Sequence, residues 1–177
     1  MTSHMYHFIG DAFMELWDAY KADGTLAGFD IIRGENIPES YYHLVCEAVI
    51  QHTDGEYLLM QRSFEKEIYP GKWEVGAGGS ALKGEDKLQA VLREIEEETG
   101  IKEGVCEEIY SLIHEGHHAI YYGYLFVTSC DKKSIRLQEG ETIDYKWITK
   151  TELIDFYKTE CSPTLRERLK GFMDSLK

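Results

Sequence analysis

The stretch from Gly76 to Gly100 restricts the possible folds of this chain more than any other. Gly76-Ala77-Gly78-Gly79 reads as loop, since three glycines in four positions supply conformational freedom and almost no side chain to pack. Immediately downstream, Leu88, Val91, Leu92 and Ile95 recur at helical spacing, with Glu85 and Asp86 opening the segment and Gly100 closing it. A helix over residues 85–99 is therefore expected, and its flanks are rich in strand formers. Upstream lie Tyr42 to Gln51, the turn signal Asp54-Gly55, Tyr57 to Arg62, a turn at Pro70-Gly71 and a short strand Trp73-Glu74-Val75. Downstream, Val105 to Ile113, Ala119 to Thr128 and Ile143 to Ile148 read as strands. Two helices are expected to finish the chain, the last capped by Ser162 with Pro163 in its first turn and Leu165, Leu169, Phe172, Met173 and Leu176 on one side. Strands on both sides of one central helix predict a mixed α/β (α+β) sandwich. Residues Phe13 to Arg33 add a hairpin around Lys21-Ala22-Asp23-Gly24.

Glu94, Glu97 and Glu98 stand at i, i+3 and i+4 on the expected helix, beside its apolar stripe. Like charges at these spacings cost a few tenths of a kcal/mol each, and anions in a last helical turn lose roughly 0.3–1 kcal/mol more against the helix dipole. A hard divalent cation reverses that sign, because carboxylates are the oxygen ligands Mg²⁺ or Mn²⁺ prefers. The wider balance of charge agrees: 32 acidic residues against 19 basic give a net charge of −13, which repels polyphosphate backbones and argues against nucleic acid as a partner. A small anionic substrate is compatible with that field when a cation bridges the two.

Counting outward from the cluster gives Gly79, five residues, Glu85, seven residues, Arg93-Glu94, Ile95, one residue, Glu97-Glu98, one residue, Gly100 and Ile101. This pattern resembles the Nudix box of the MutT-like Nudix hydrolases at every defining position. With roughly 6% usage for each fixed residue, chance at a given start is on the order of 10⁻⁹. The resemblance implies metal ligation by Glu94, Glu97 and Glu98, with Glu94 also able to act as or orient the base. It implies a scaffold role for the Glu85 and Arg93 pair, and a close backbone approach to the metal at Gly79. Further framework segments, Gln61-Arg62, Pro70-Gly71-Lys72-Trp73 and Lys146-Trp147-Ile148 with Glu152-Leu153, extend the likeness over about Tyr42 to Phe156. It places a Nudix hydrolase domain at residues 41–177, its box at 79–101, and an amino-terminal extension at 1–40. Glu15-Leu16-Trp17-Asp18 and Arg33-Gly34-Glu35 are similar to bacterial members related to the isopentenyl-diphosphate isomerase branch.

The activity so implied is Mg²⁺-dependent (or Mn²⁺-dependent) cleavage of the diphosphate linkage of a nucleoside diphosphate joined to another moiety, or of a related small organic diphosphate. A carboxylate from a loop opposite the helix, Glu139 or Glu141 and preferably Glu141, is a further candidate ligand or base. Arg62, Lys66 and Lys72 are candidates for holding substrate phosphates, against the alternative of solvated surface charge. An isomerase would need a cysteine after the framework tryptophan, and Trp73 to Gly79 contains none; Cys46 falls on a different expected strand. A silent nucleotide-binding module commonly loses box residues, and here all are present. His114, His117 and His118 lie at a strand turn with no cysteine spaced to complete a zinc site, and Trp17, Trp73 and Trp147 read as framework before stacking platforms. Four scattered cysteines suit a reducing compartment. No apolar run is long enough for a membrane span, and Met1-Thr2-Ser3-His4-Met5 has no export signal, although Ser3-His4-Met5 also has the look of an expression-vector remnant. A cytoplasmic protein is expected, with a homodimer compatible.

Overall fold

The computed structural model describes residues 7–8 and 13–177; Met1 to Met5, where no export signal was read, lie outside them. In chain order the strands are β1 (His7–Phe8), β2 (Phe13–Met14), β3 (Leu16–Lys21), β4 (Leu26–Ile32), β5 (Tyr41–His52), β6 (Tyr57–Arg62), β7 (Trp73–Val75) and β8 (Ala77–Ser80). Helix α1 (Lys87–Thr99) follows, then β9 (Val105–His114), β10 (Ala119–Thr128), β11 (Thr142–Ile148), α2 (Lys150–Thr159) and α3 (Pro163–Ser175). Nine of the strands make one mixed sheet centred on β5. Along one edge β5 runs parallel to β10 from His43↔Ala119 to His52↔Thr128, and β9 continues antiparallel beyond it. Along its other edge it pairs in turn with β3, β8 and β6. The chain therefore runs through β6 and β7 within the sheet and crosses over at Gly76 to pair β8 with β5, delivering the glycine-rich segment to the middle of β5.

Alternating residues send side chains to opposite faces, and both faces are covered. Leu44, Cys46, Ala48, Ile50, Leu58 and Met60 pack beneath Ala90, Val91 and Ile95 of α1. Val49, Tyr57 and Leu59 point the other way, against Leu153 and Phe156 of α2 and Leu165, Leu169, Phe172 and Met173 of α3. The β3–β4 hairpin turns at Asp23-Gly24 as expected, Gly24 taking φ +79° and Asp23 accepting from the Thr25 amide, and packs Trp17, Ala19 and Ile31 as a small core of its own.

Three local expectations need correction. Residues 77–80 are strand, not loop: Val45↔Ser80 through Ala48↔Ala77 form an antiparallel ladder. Glycine is what permits it, since a Cβ on Gly78 would lie 2.7 Å from the Cys46 carbonyl oxygen. Helix α1 begins at Lys87, because Asp86 caps it by accepting from the Leu88 and Gln89 amides while the Gln89 side chain returns to the Asp86 amide; Glu85 is left in the preceding loop. Its buried stripe is Ala90, Val91, Ile95 and Thr99, whereas Leu88 and Leu92 are exposed. At the other end Gly100 adopts φ +75° and its amide bonds the Glu96 carbonyl, terminating the helix directly after the glutamates.

Candidate active site

Arg93 ties two carboxylates of α1 to the preceding loop and the end of β8, and all five of its N–H donors are engaged in doing so. Its Nε and Nη2 reach the two oxygens of Glu85 at 2.7 and 3.0 Å, and Nη2 also donates to the Ser80 carbonyl at 3.0 Å. Its Nη1 donates to Glu94 at 2.7 Å and to Glu97 at 3.0 Å. The bidentate half of this pattern locks the loop carrying Glu85 to the helix and to the end of β8. The other half gathers two carboxylates that would otherwise repel. Gly79 completes the arrangement, since a Cβ there would lie 2.4 Å from Glu94 Oε1.

Among the described residues no cation pairs with Glu98. Its only protein hydrogen bond among the described residues is a long one, 3.4 Å, from the Gly78 amide. Burial, then the neighbouring Glu94 and Glu74 carboxylates, push its pKa well above the ordinary glutamate value. Glu94 is also raised, by burial first and by Glu97 and Glu85 as well, with Arg93 opposing. These groups face a cavity of about 770 Å³ that reaches from α1 through the gap beside β5 to α3. Glu74, which the sequence reading passed over, lines it: burial raises its pKa, and its partner Arg62, 3.0 Å away, opposes that.

The remaining candidates divide. Arg62 lines the cavity, but Glu74 and the Ile68 carbonyl engage its guanidinium. Lys66 lines it too and is ion-paired to Glu141, also a lining residue, while Glu139 is exposed outside it. Lys72 is displaced from the carboxylates: it belongs to a separate cleft of about 160 Å³ beside Trp73 and Pro163. Pairing of β7 with β6 places the Lys72 carbonyl on the Arg62 amide and turns the lysine to that other side. Cys46 does lie on a different strand from the glycine segment, but directly opposite Gly79 in register. Its thiol is fully buried, and burial followed by Glu94 pushes its pKa up to about 12, so it is poorly suited to proton transfer.

His114 and His117 stack at 3.8 Å, and a His117 ring nitrogen lies 3.0 Å from the Tyr121 hydroxyl; among the described residues no group of three or more His, Cys, Asp or Glu is arranged as a ready metal site. At the α1 cluster Arg93 draws Glu94 and Glu97 toward itself. As a donor set the cluster suits a hard cation. Several carboxylate oxygens converge on one cavity wall, and one of them, on Glu98, is poorly neutralised. Trp147 donates to the Lys132 carbonyl at 3.2 Å, Trp73 packs on the α2 and α3 core beneath Lys146, and Trp17 stacks on His43 at 4.2 Å, all framework positions. No helix among the described residues is long and apolar enough to cross a membrane.

A family model described as the NUDIX domain matches residues 42–169. An uncharacterised Nudix hydrolase of Listeria monocytogenes is 36% identical over 144 residues, 79% of this chain and 83% of its own. Among solved structures, DR0079 of Deinococcus radiodurans aligns over 86% of this chain and 96% of its own with a TM-score of 0.69 at 19% identity. A MutT protein of Methanosarcina mazei aligns over 80% and 96% with a TM-score of 0.59 at 23% identity. At those identities the two structures speak for the fold alone.

Proposed function

The chain belongs to the Nudix family, whose members hydrolyse phosphoanhydride bonds, and from that premise we propose a Mg²⁺-dependent pyrophosphohydrolase, Mn²⁺ substituting, acting on the diphosphate of a nucleoside diphosphate linked to another moiety or of a related small organic diphosphate. The observation that carries this reading is the uncompensated Glu98 carboxylate beside Glu94 and Glu97 on the wall of a cavity large enough for such a substrate. Glu94, Glu97 and Glu98 would hold the metal with the backbone at Gly79. When bound, the cation would neutralise phosphate oxygens and make water more acidic.

The chain's own residues supply the rest. Arg93 and Glu85 hold α1 against the end of β8, so the carboxylates approach the diphosphate from a fixed direction. Lys66 and Arg62 stand where the phosphates would lie, each already paired with a carboxylate that a phosphate could displace. Glu141, held by Lys66 at the cavity wall, is the proposed base for the attacking water, ahead of the exposed Glu139. Such a base becomes available once substrate phosphate takes over Lys66. Hydrolysis of a panel of nucleoside diphosphate derivatives with and without Mg²⁺ tests the reading, using Glu98→Gln and Glu94→Gln: metal-stimulated turnover in the parent and its loss in both variants is expected, and undiminished turnover in both removes the mechanism.

A further inference from the structure

At the α3 end of the cavity stands a second ionic cluster that nothing in the box accounts for. Glu47 projects from β5 to the face opposite α1 and meets Arg168 of α3 in a two-pronged contact, Nε to Oε2 at 2.7 Å and Nη2 to Oε1 at 2.5 Å. The Tyr110 hydroxyl donates to the same carboxylate at 2.5 Å, and the guanidinium lies over the Tyr121 ring, 4.3 Å from its centroid. The strand opposite is cut to fit: Gly123 pairs with Tyr110 in register, and a Cβ on Gly123 would come within 2.0 Å of the tyrosine ring. All four side chains line the cavity, and Glu74 feels both ends, its charge coupled to Glu98 on one side and to Glu47 and Arg168 on the other.

An ion pair this enclosed is a poor way merely to fasten a helix, because apolar residues of the same volume do so at least as well. Leu165, Leu169 and Phe172 already fasten α3. What the pair does provide is a planar guanidinium fixed on three sides. Nε and one Nη2 hydrogen are taken by Glu47 and one face by Tyr121; among the described residues no acceptor reaches Nη1. Since Glu47 cancels the positive charge, the wall has no net attraction for a further phosphate. It suits an uncharged, planar group with a carbonyl or ring-nitrogen acceptor, which the guanidinium can bond at Nη1.

The geometry points to Arg168, oriented by Glu47 and Tyr110, as the residue that selects the substrate by binding the nucleobase attached to the diphosphate. This rests on the hydrolase reading for its meaning but can be tested by binding alone. Calorimetric titrations with a nucleoside diphosphate and with inorganic pyrophosphate, both with Mg²⁺, would compare the parent with Arg168→Lys and with Tyr110→Phe, thermal melts verifying that each is folded. The parent is expected to bind the nucleoside diphosphate at least about tenfold tighter than pyrophosphate, and one lost charged hydrogen bond should shrink that ratio by about tenfold in Arg168→Lys and by less in Tyr110→Phe, pyrophosphate affinity staying constant. Equal affinities in the parent, or a ratio unaltered in both folded variants, overturns the inference. Absence of hydrolysis with the affinity ratio intact would instead count against the hydrolase reading and leave the base site standing.

Discussion

One cavity joins two ionic clusters built on opposite principles. At the α1 end the carboxylates of Glu85, Glu94, Glu97 and Glu98 gather around a single guanidinium, Arg93, whose donors are exhausted before Glu98 is served. At the α3 end a single carboxylate, Glu47, receives Arg168 and Tyr110 together, and charge is matched within the cluster. The first has negative charge left over, which the proposed cation would offset; the second is balanced and offers only directional donors. Charge excess therefore marks where chemistry on a phosphate is expected, and charge balance marks where a neutral part of the ligand is expected.

The comparison breaks most severely at Arg93. Its replacement by Met leaves Glu85, Glu94 and Glu97 partly buried without their shared counter-charge, and removing one partner of such a network typically costs about 3–5 kcal/mol. Urea unfolding without divalent ions should register a loss of that size. Added Mg²⁺ should recover part of it by taking over the neutralisation of Glu94 and Glu97; a loss that Mg²⁺ does not reduce would mean the excess charge is not a cation site. Next in size is Glu98→Gln, for which metal-stimulated turnover should fall about 10²–10³-fold, as when an electrostatic stabiliser of the transition state is deleted. In metal-free buffer the same change should leave the melting temperature unchanged or raised, since a buried repulsion is gone. Joint loss of stability and rate would place Glu98 with the scaffold instead.

The two clusters were unequally legible in the sequence. Glu94, Glu97 and Glu98 announce themselves because helical spacing brings residues three and four apart together. The α3 cluster draws Glu47, Tyr110, Tyr121 and Arg168 from three strands and a helix, a contact only the sheet register creates. Faint signals existed: Glu47 is the lone charge in the run Leu44 to Ile50, and Arg168 interrupts the apolar side of α3 next to Leu169. Strand β8 is hidden in the sequence for a related reason. Glycines carry no period-two pattern, so a strand selected for close backbone approach looks like a loop. Leu88 and Leu92 fit the helical period yet stay exposed, because the period gives a direction around the helix and only packing decides which side is covered.

A third site, neutral where the others are ionic, sharpens the contrast through pH. His43 lies on the cavity wall, stacks on Trp17 and bonds the His118 carbonyl at 3.0 Å. Burial lowers its pKa from 6.5 to about 4; the bond to the His118 carbonyl opposes this, and the nearby His117, His118 and Arg33 side chains add to it. Between those values the unfolded chain takes up a proton that the folded one refuses. The contribution to stability is whole above about pH 6.5 and falls by about 3 kcal/mol as pH descends to about 4. The carboxylates with raised pKa act in the opposite sense, so the measurement is the difference in unfolding free energy between the parent and His43→Phe across that range. A difference independent of pH would show that the imidazole is protonated in place.

The smallest expected effects come from two glycines, and they separate the clusters most cleanly. An added Cβ meets Glu94 Oε1 at 2.4 Å in Gly79→Ala and the Tyr110 ring at 2.0 Å in Gly123→Ala. Overpacking of this kind costs typically about 1–3 kcal/mol. How it is relieved should differ. The Glu94 carboxylate ends a flexible side chain and can swing aside, so Gly79→Ala should keep most of its stability and lose kcat with little change in KM. Tyr110 is a rigid ring wedged between sheet and helix, so Gly123→Ala should lose stability near the upper figure and, where folded, raise KM more than it lowers kcat. Identical signatures from the two alanines would mean that the cavity responds as one site, without the division between phosphate chemistry and base selection.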